Sequence, residues 1–150
     1  AITNANPKIA NYQFTTLNPN LGVANYDDKE VTIADIPGLV EGAHKGTGLG
    51  IQFLKHIERC KTLLHMIDIT NNDLKKSYKQ IKNELKNYSS KISKKRELVV
   101  LNKTDLINND DIKKIIKDFS KFTKSEVITL TTFEKKSVSK IKAKLISYAS

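Results

Sequence analysis

The sequence predicts an α/β fold with a mostly parallel sheet. Two observations and one general rule carry that expectation. Short apolar runs alternate with longer stretches whose apolar residues fall at helical spacing. Two of those runs, "TLLHMIDI" and "ELVVLNKTD", pass straight from apolar residues into polar ones. Strand followed by helix, repeated, builds parallel sheets with right-handed crossovers.

The elements follow in chain order. "GVANYDDKEVTIADI" reads as two strands, Gly22–Tyr26 and Glu30–Ile36, around a polar "DDKE" turn. A glycine-rich loop runs to Gly50, and Leu49, Phe53, Leu54, Ile57 and Cys60 then fall at helical spacing. Thr62–Ile69 is apolar enough for a strand buried on both faces. Leu74, Tyr78, Ile81, Leu85 and Tyr88 share one side of a helix with lysines elsewhere. "ELVVL" is a strand, and Asp110–Phe122 a helix with Ile112, Ile115, Ile116 and Phe119 as its stripe. "EVITL" is a short strand, and Val138, Ile141, Leu145 and Tyr148 mark a closing helix. No internal repeat or domain boundary interrupts the order.

Bulk properties narrow the class. The chain has 150 residues, 39% apolar and 28% charged, enough for one domain with a core. No apolar run approaches the ~20 residues that span a bilayer. Cys60 stands alone, which excludes a disulfide framework and a cysteine-based metal cluster and fits a reducing cytoplasm. The net charge of +10 fits either a polyanionic partner such as RNA or solvated helix faces. The lysines are scattered over Lys75–Lys95 and Lys113–Lys144, which favours solvated faces.

Ligands of parallel sheets bind beyond the carboxyl ends of the strands. The polar groups after the apolar runs should therefore converge: Asp35-Ile36-Pro37-Gly38, Asn102-Lys103-Thr104-Asp105 and Thr131-Thr132. Asp68 also ends a run, in a weaker local context. In "NKTD", an aspartate carboxylate can accept two bonds from guanine's N1–H and 2-amino group, which adenine lacks there. The asparagine amide can bond a ring acceptor, and the lysine stem can lie across the base. The alternative is a polar turn, where Asn and Asp are common. In "DIPG", Asp35 can hold Mg²⁺ through water, and Gly38 can bring its N–H against a γ-phosphate. The plain alternative is a Pro-Gly turn. Thr16, in "FTTLNPNLGV", offers a hydroxyl to Mg²⁺; a pair of β-formers in an extended segment is the bland reading.

With these motifs in place the sequence resembles the Obg family of GTPases, over essentially the whole chain. "NANPKIANYQFTTLNPNLGV" is similar to that family's switch I region. "ADIPGLVEGAHKGTGLGIQFLKHIERCKTLLHMID" is similar to its switch II and the helix and strand after it. The resemblance implies a three-layer, Ras-like G domain of the P-loop NTPase class. It implies that Phe14, Thr15, Thr16, Leu17 and Asn18 line the nucleotide. Thr16 and Asp35 would serve Mg²⁺, and Asp35, Ile36, Pro37 and Gly38 would form the DxxG motif. Asn102, Lys103, Thr104 and Asp105 would read guanine. The family's Ser-Ala base contact lands on Thr131-Thr132, followed by Phe133; threonine for alanine is a departure. GTP and GDP are the implied ligands, GTP hydrolysis the activity, and the large ribosomal subunit with its RNA the partner. The role implied is ribosome assembly.

No catalytic residue is assigned. Leu39 stands where many regulatory GTPases carry a water-orienting glutamine. His44 and Glu41 share that loop without an assigned role, and His56 and His65 read as structural. "GTGLG" (Gly46–Gly50) lacks the Lys-Ser/Thr pair of a phosphate loop and reads as a hinge. A G-x-x-x-x-G-K-[ST] loop is absent from the 150 residues, and "AITNANPKIA" looks like the tail of the helix that would follow it. The chain is thus expected to be a single, partial GTP-binding domain, residues 1–150, without its first strand and phosphate loop. The resemblance implies that this strand lies mid-sheet, so its neighbours should be left unpaired. Low stability, pairing with another copy, and completion by a further segment all stay open. An alternative function is a non-hydrolysing module that docks on ribosomal RNA.

Overall fold

The computed structural model describes residues 8–9, 20–35 and 57–149. Its centre is a parallel sheet of β4 (Thr62–Asp68), β5 (Arg96–Asn102) and β6 (Glu126–Thr129), in that order. Among the described residues four helices follow β4: α1 (Leu74–Tyr88), the short α2 (Ser90–Ser93), α3 (Asn109–Thr123) and α4 (Lys135–Ala149). Before it come β1 (Lys8–Ile9), β2 (Asn20–Tyr26) and β3 (Lys29–Asp35), which form a separate antiparallel sheet in the order β1-β2-β3.

β5 organises the core. Its residues Glu97–Leu101 are all buried, because alternate side chains meet cover on both faces. Val99 and Leu101 join Ile67, Tyr78, Phe119 and Val127 under α1 and α3. Leu98 and Val100 join Ile128, Leu130, Ile141 and Leu145 under α4, and Val31 and Ile33 of β3 pack on that same cluster. Helices on one face, the parallel sheet, and α4 with the hairpin on the other give the expected three layers. The parallel sheet is the expected one, and the hairpin stands beside it as an antiparallel sheet. It closes through a two-residue turn, and Tyr26↔Lys29 leads the antiparallel register of β2 with β3. No ladder joins β3 to β4.

The helix ends follow from local chemistry. The Asp73 carboxylate accepts the Lys76 N–H at 2.9 Å and opens α1. The Asn108 side chain accepts the Asp111 N–H at 2.9 Å and opens α3, whose first turn carries Asp110 and Asp111. Lys124, at φ 55°, ends it in the left-handed conformation.

Several expectations shift. The "DDKE" turn narrows to Asp27-Asp28, with Lys29 and Glu30 already in β3. β4 is only partly buried, and Met66 is 44% exposed, because β5 is its one strand neighbour among the described residues. Lys8–Ile9 pair with β2, so the helix tail read into "AITNANPKIA" does not reach them. The helix expected after Gly50 is described only from residue 57, where 57–59 are helical.

Candidate nucleotide site

The three parallel strands end level. Asp68 lies opposite Asn102, and Leu101 opposite Thr129. Each strand then breaks into a polar loop, and backbone hydrogen bonds bind the three loops together. The Ile69 N–H donates to the Asn102 carbonyl at 3.0 Å. The Leu130 N–H donates to the Leu101 carbonyl at 2.8 Å. The Leu130 carbonyl in turn accepts the Thr104 N–H at 3.3 Å and the Thr104 hydroxyl at 3.2 Å. Thr104 is buried by this double bond, which fixes the "NKTD" corner against the loop after β6.

Within that corner, Asn102 is the last residue of β5 and is half-buried. Lys103 adopts φ 62°, which breaks the strand and starts a single 3₁₀ turn over Thr104–Leu106. Asp105 sits in that turn, exposed, and its carboxylate makes no hydrogen bond or ion pair among the described residues. The Lys103 ammonium lies 2.6 Å from Asp68 Oδ2. Asp68 Oδ1 also accepts the Thr70 hydroxyl at 2.7 Å and the Thr70 N–H at 3.0 Å. The lysine bond first, and the Thr70 bonds after it, pull the Asp68 carboxyl down to about 2. The same partner raises Lys103 above its ordinary value.

The loop after β6 is built by side chain to backbone bonds. The Thr131 N–H donates to Ser137 Oγ at 3.0 Å, and the Phe133 N–H donates to Thr131 Oγ1 at 3.4 Å. Thr131 is therefore buried and its hydrogen-bonding groups are engaged, whereas the Thr132 N–H has no partner among the described residues. Phe133 is 84% exposed and Leu106 64%, two apolar side chains standing free on neighbouring loops. An open depression of ≈ 420 Å³ runs along this edge, lined among others by Thr104, Asp105, Thr131, Ser137 and Lys140. A second, of ≈ 340 Å³, lies between α1 and α3 and carries none of the motif residues.

The structure thus brings Asn102, Lys103, Thr104, Asp105, Thr131, Thr132 and Phe133 to one rim. Asp35 ends β3, and its side chain lies outside the description. Phe14, Thr15, Thr16, Leu17, Asn18, Ile36, Pro37 and Gly38 lie outside the described residues, as do Leu39, Glu41 and His44. In the sequence Asp68 ends an apolar run in a weak local context. Its signal was an aspartate at a strand end two residues before a threonine, the pattern of a carboxylate that caps its own turn. Among the described residues no group of three or more His, Cys, Asp or Glu could hold a metal.

The model of the MMR_HSR1 family, described as 50S ribosome-binding GTPase, matches residues 1–103, more than half of the chain. The chain belongs to the 50S ribosome-binding GTPase family. The GTPase Obg of Pelagibacter ubique is 69% identical over 150 residues, covering 100% of this chain and 46% of the relative. The GTPase Obg of Rickettsia felis is 49% identical over 140 residues, covering 93% and 42%. The chain thus spans about half the length of these Obg relatives. Among solved structures, the cytosolic domain of the Thermotoga maritima FeoB iron transporter in its GMPPNP form has a TM-score of 0.72 at 15% identity. That likeness covers 99% of this chain and 56% of the FeoB chain. Nucleolar GTP-binding protein 1 of Plasmodium falciparum gives 0.63 at 20% identity, over 98% and 75%. At such identities the likeness establishes the α/β G-domain fold of this chain.

Proposed function

We propose that this chain is the base-reading and switch portion of an Mg²⁺-dependent GTP-binding and GTP-hydrolysing switch of the Obg type. One observation carries the reading: Thr104 locks the "NKTD" corner to the Leu130 carbonyl, bringing Asp105 and Thr132 onto one rim. Family membership supports the choice of guanine nucleotide. Asp105, with its carboxylate uncommitted, would accept guanine's N1–H and 2-amino group. Asn102 and the Lys103 stem would complete the base site. The free Thr132 N–H would meet the base carbonyl, so threonine in place of alanine costs nothing there, since the contact is to the backbone. The exposed Phe133 ring would cover the bound base.

Thr16 and Asp35 would hold Mg²⁺, and a hydroxyl with a carboxylate oxygen suits that hard cation. Phe14–Asn18 and Asp35–Gly38 would line the phosphates and respond to the γ-phosphate. The proposed setting is the cytoplasm, and the proposed partner the large ribosomal subunit, during its assembly. The names of the Obg relatives and the family description support GTP hydrolysis and the ribosomal partner. Among the described residues no helix is long and apolar enough to cross a membrane.

The 150 residues hold no G-x-x-x-x-G-K-[ST] loop. Each missing charge-assisted phosphate bond removes ~1.5–3 kcal/mol. The chain alone should therefore bind GTP at millimolar affinity or below detection, without turnover. Calorimetric titration of the chain with GTP and Mg²⁺ tests this, and micromolar binding overturns it. The full-length gene product should bind GDP and GTP in preference to ATP, and should hydrolyse GTP only with Mg²⁺. Indifference between guanine and adenine nucleotides would overturn the base-site assignment.

A further inference from the structure

The motif lysine has a partner on a different loop. Lys103 Nζ reaches Asp68 Oδ2 at 2.6 Å. Asp68 is oriented independently of that contact, because Thr70 holds its Oδ1 through both N–H and hydroxyl. One carboxylate oxygen is thus fixed by the turn and the other is presented to the lysine. Register makes the reach short: Asp68 stands opposite Asn102, and the Ile69 N–H bonds the Asn102 carbonyl. Lys103 itself cannot swing with its strand, since its left-handed backbone begins the 3₁₀ turn.

The pair does little for the fold. The side chains are 55% and 36% exposed, and water screens such pairs. What it does is order a long stem. A free lysine samples many rotamers, and holding its stem across a ligand costs entropy. An ammonium already tethered bears most of that cost before a ligand arrives.

The geometry points to Asp68 as a positioning residue for nucleotide binding: it anchors the Lys103 ammonium so that the lysine stem forms a fixed wall for the base. The inference rests on the guanine-nucleotide reading above. Asp68 acts through Lys103 and touches no ligand, so its effect disappears when the ammonium is gone.

The test is GDP binding by the full-length gene product, measured calorimetrically for wild type, Asp68→Asn, Lys103→Met and the double variant. Asp68→Asn keeps the Thr70 bonds and removes the charge; Lys103→Met keeps most of the stem and removes the ammonium. Asp68→Asn should weaken GDP binding about two- to fivefold, the range open to an exposed ion pair. The double variant should bind like Lys103→Met alone, and Asp68→Glu should recover part of the loss. The preference for guanine over adenine should persist in Asp68→Asn, because Asp105 carries it. Thermal denaturation of each variant identifies any loss due to unfolding. Wild-type affinity in a folded Asp68→Asn protein, or single losses that multiply in the double variant, overturns the inference alone. Failure of the wild type to bind GDP overturns the proposed function and this inference with it.

Discussion

Glu97 is buried in the first half of β5 and receives three hydrogen bonds: from His65 Nδ1 at 2.9 Å, the Tyr78 hydroxyl at 3.0 Å and Lys82 Nζ at 3.0 Å. Burial by itself would push its carboxyl up. The His65 bond and the Lys82 charge outweigh that and hold it below its usual value. Tyr78 stacks on His65 at 5.3 Å and responds in the opposite sense. Burial, then the Glu97 charge, push its hydroxyl from 10.0 to about 12. A raised pKa keeps the proton in the folded state longer than in the unfolded one. Its stabilising contribution is complete below pH 10 and is lost as pH rises toward 12. Denaturation midpoints for wild type should therefore fall more steeply across that window than those for Tyr78→Phe. At neutral pH Tyr78→Phe should cost about 1 kcal/mol in urea denaturation, the net value of one hydrogen bond. Equal slopes in the two proteins would show that the Tyr78 hydroxyl is not held by Glu97. In the sequence His65 reads as structural, and Glu97 belongs to no motif. A glutamate at the start of an apolar run looks like a strand end facing water, and only its partners on β4 and α1 make it an interior residue.

The hairpin keeps the two strands read from the sequence and narrows their turn to two residues. Asp27 and Asp28 both carry positive φ, 51° and 56°, as the tight turn between twisted strands requires. Aspartate tolerates that region but is strained there, whereas glycine is not. Asp28→Gly should stabilise the hairpin, with a gain of about 0.5–1 kcal/mol in denaturant unfolding. A loss of that size would mean the Asp28 side chain contributes more than its backbone costs. The helices were easier to read. Their apolar stripes recur at a spacing set by the helix itself, and Phe119, Ile141 and Leu145 all point inward as expected. α2 and the 3₁₀ turn are too short to generate a periodic signal.

The molecule as a whole is built on β5, whose two faces belong to two different clusters. Leu101 is wholly buried among residues of β4, β6, α1 and α3 and also accepts the Leu130 N–H that ties the rim together. Leu101→Ala should cost about 2–5 kcal/mol, with the larger values if the surroundings do not collapse into the space. Thermal or chemical denaturation measures it, and a loss below about 1 kcal/mol would mean the two layers repack freely. The same substitution should loosen the rim, seen as faster hydrogen exchange at the Thr104 and Leu130 amides.

By itself the sequence determined the kind and order of the central elements, the α/β class, and the convergence of the "NKTD" and "TTF" loops. Periodicity, turn chemistry and the rule for parallel strand ends are short-range or topological, so they survive without coordinates. Tertiary structure decided that the hairpin stands as a separate antiparallel sheet against α4, that β4 is half-covered, and that Asp68 holds Lys103. Those outcomes depend on strand register and on which surfaces meet across the core. Residues far apart in the chain acquire each other as partners only when the strands align, and no local pattern records that meeting.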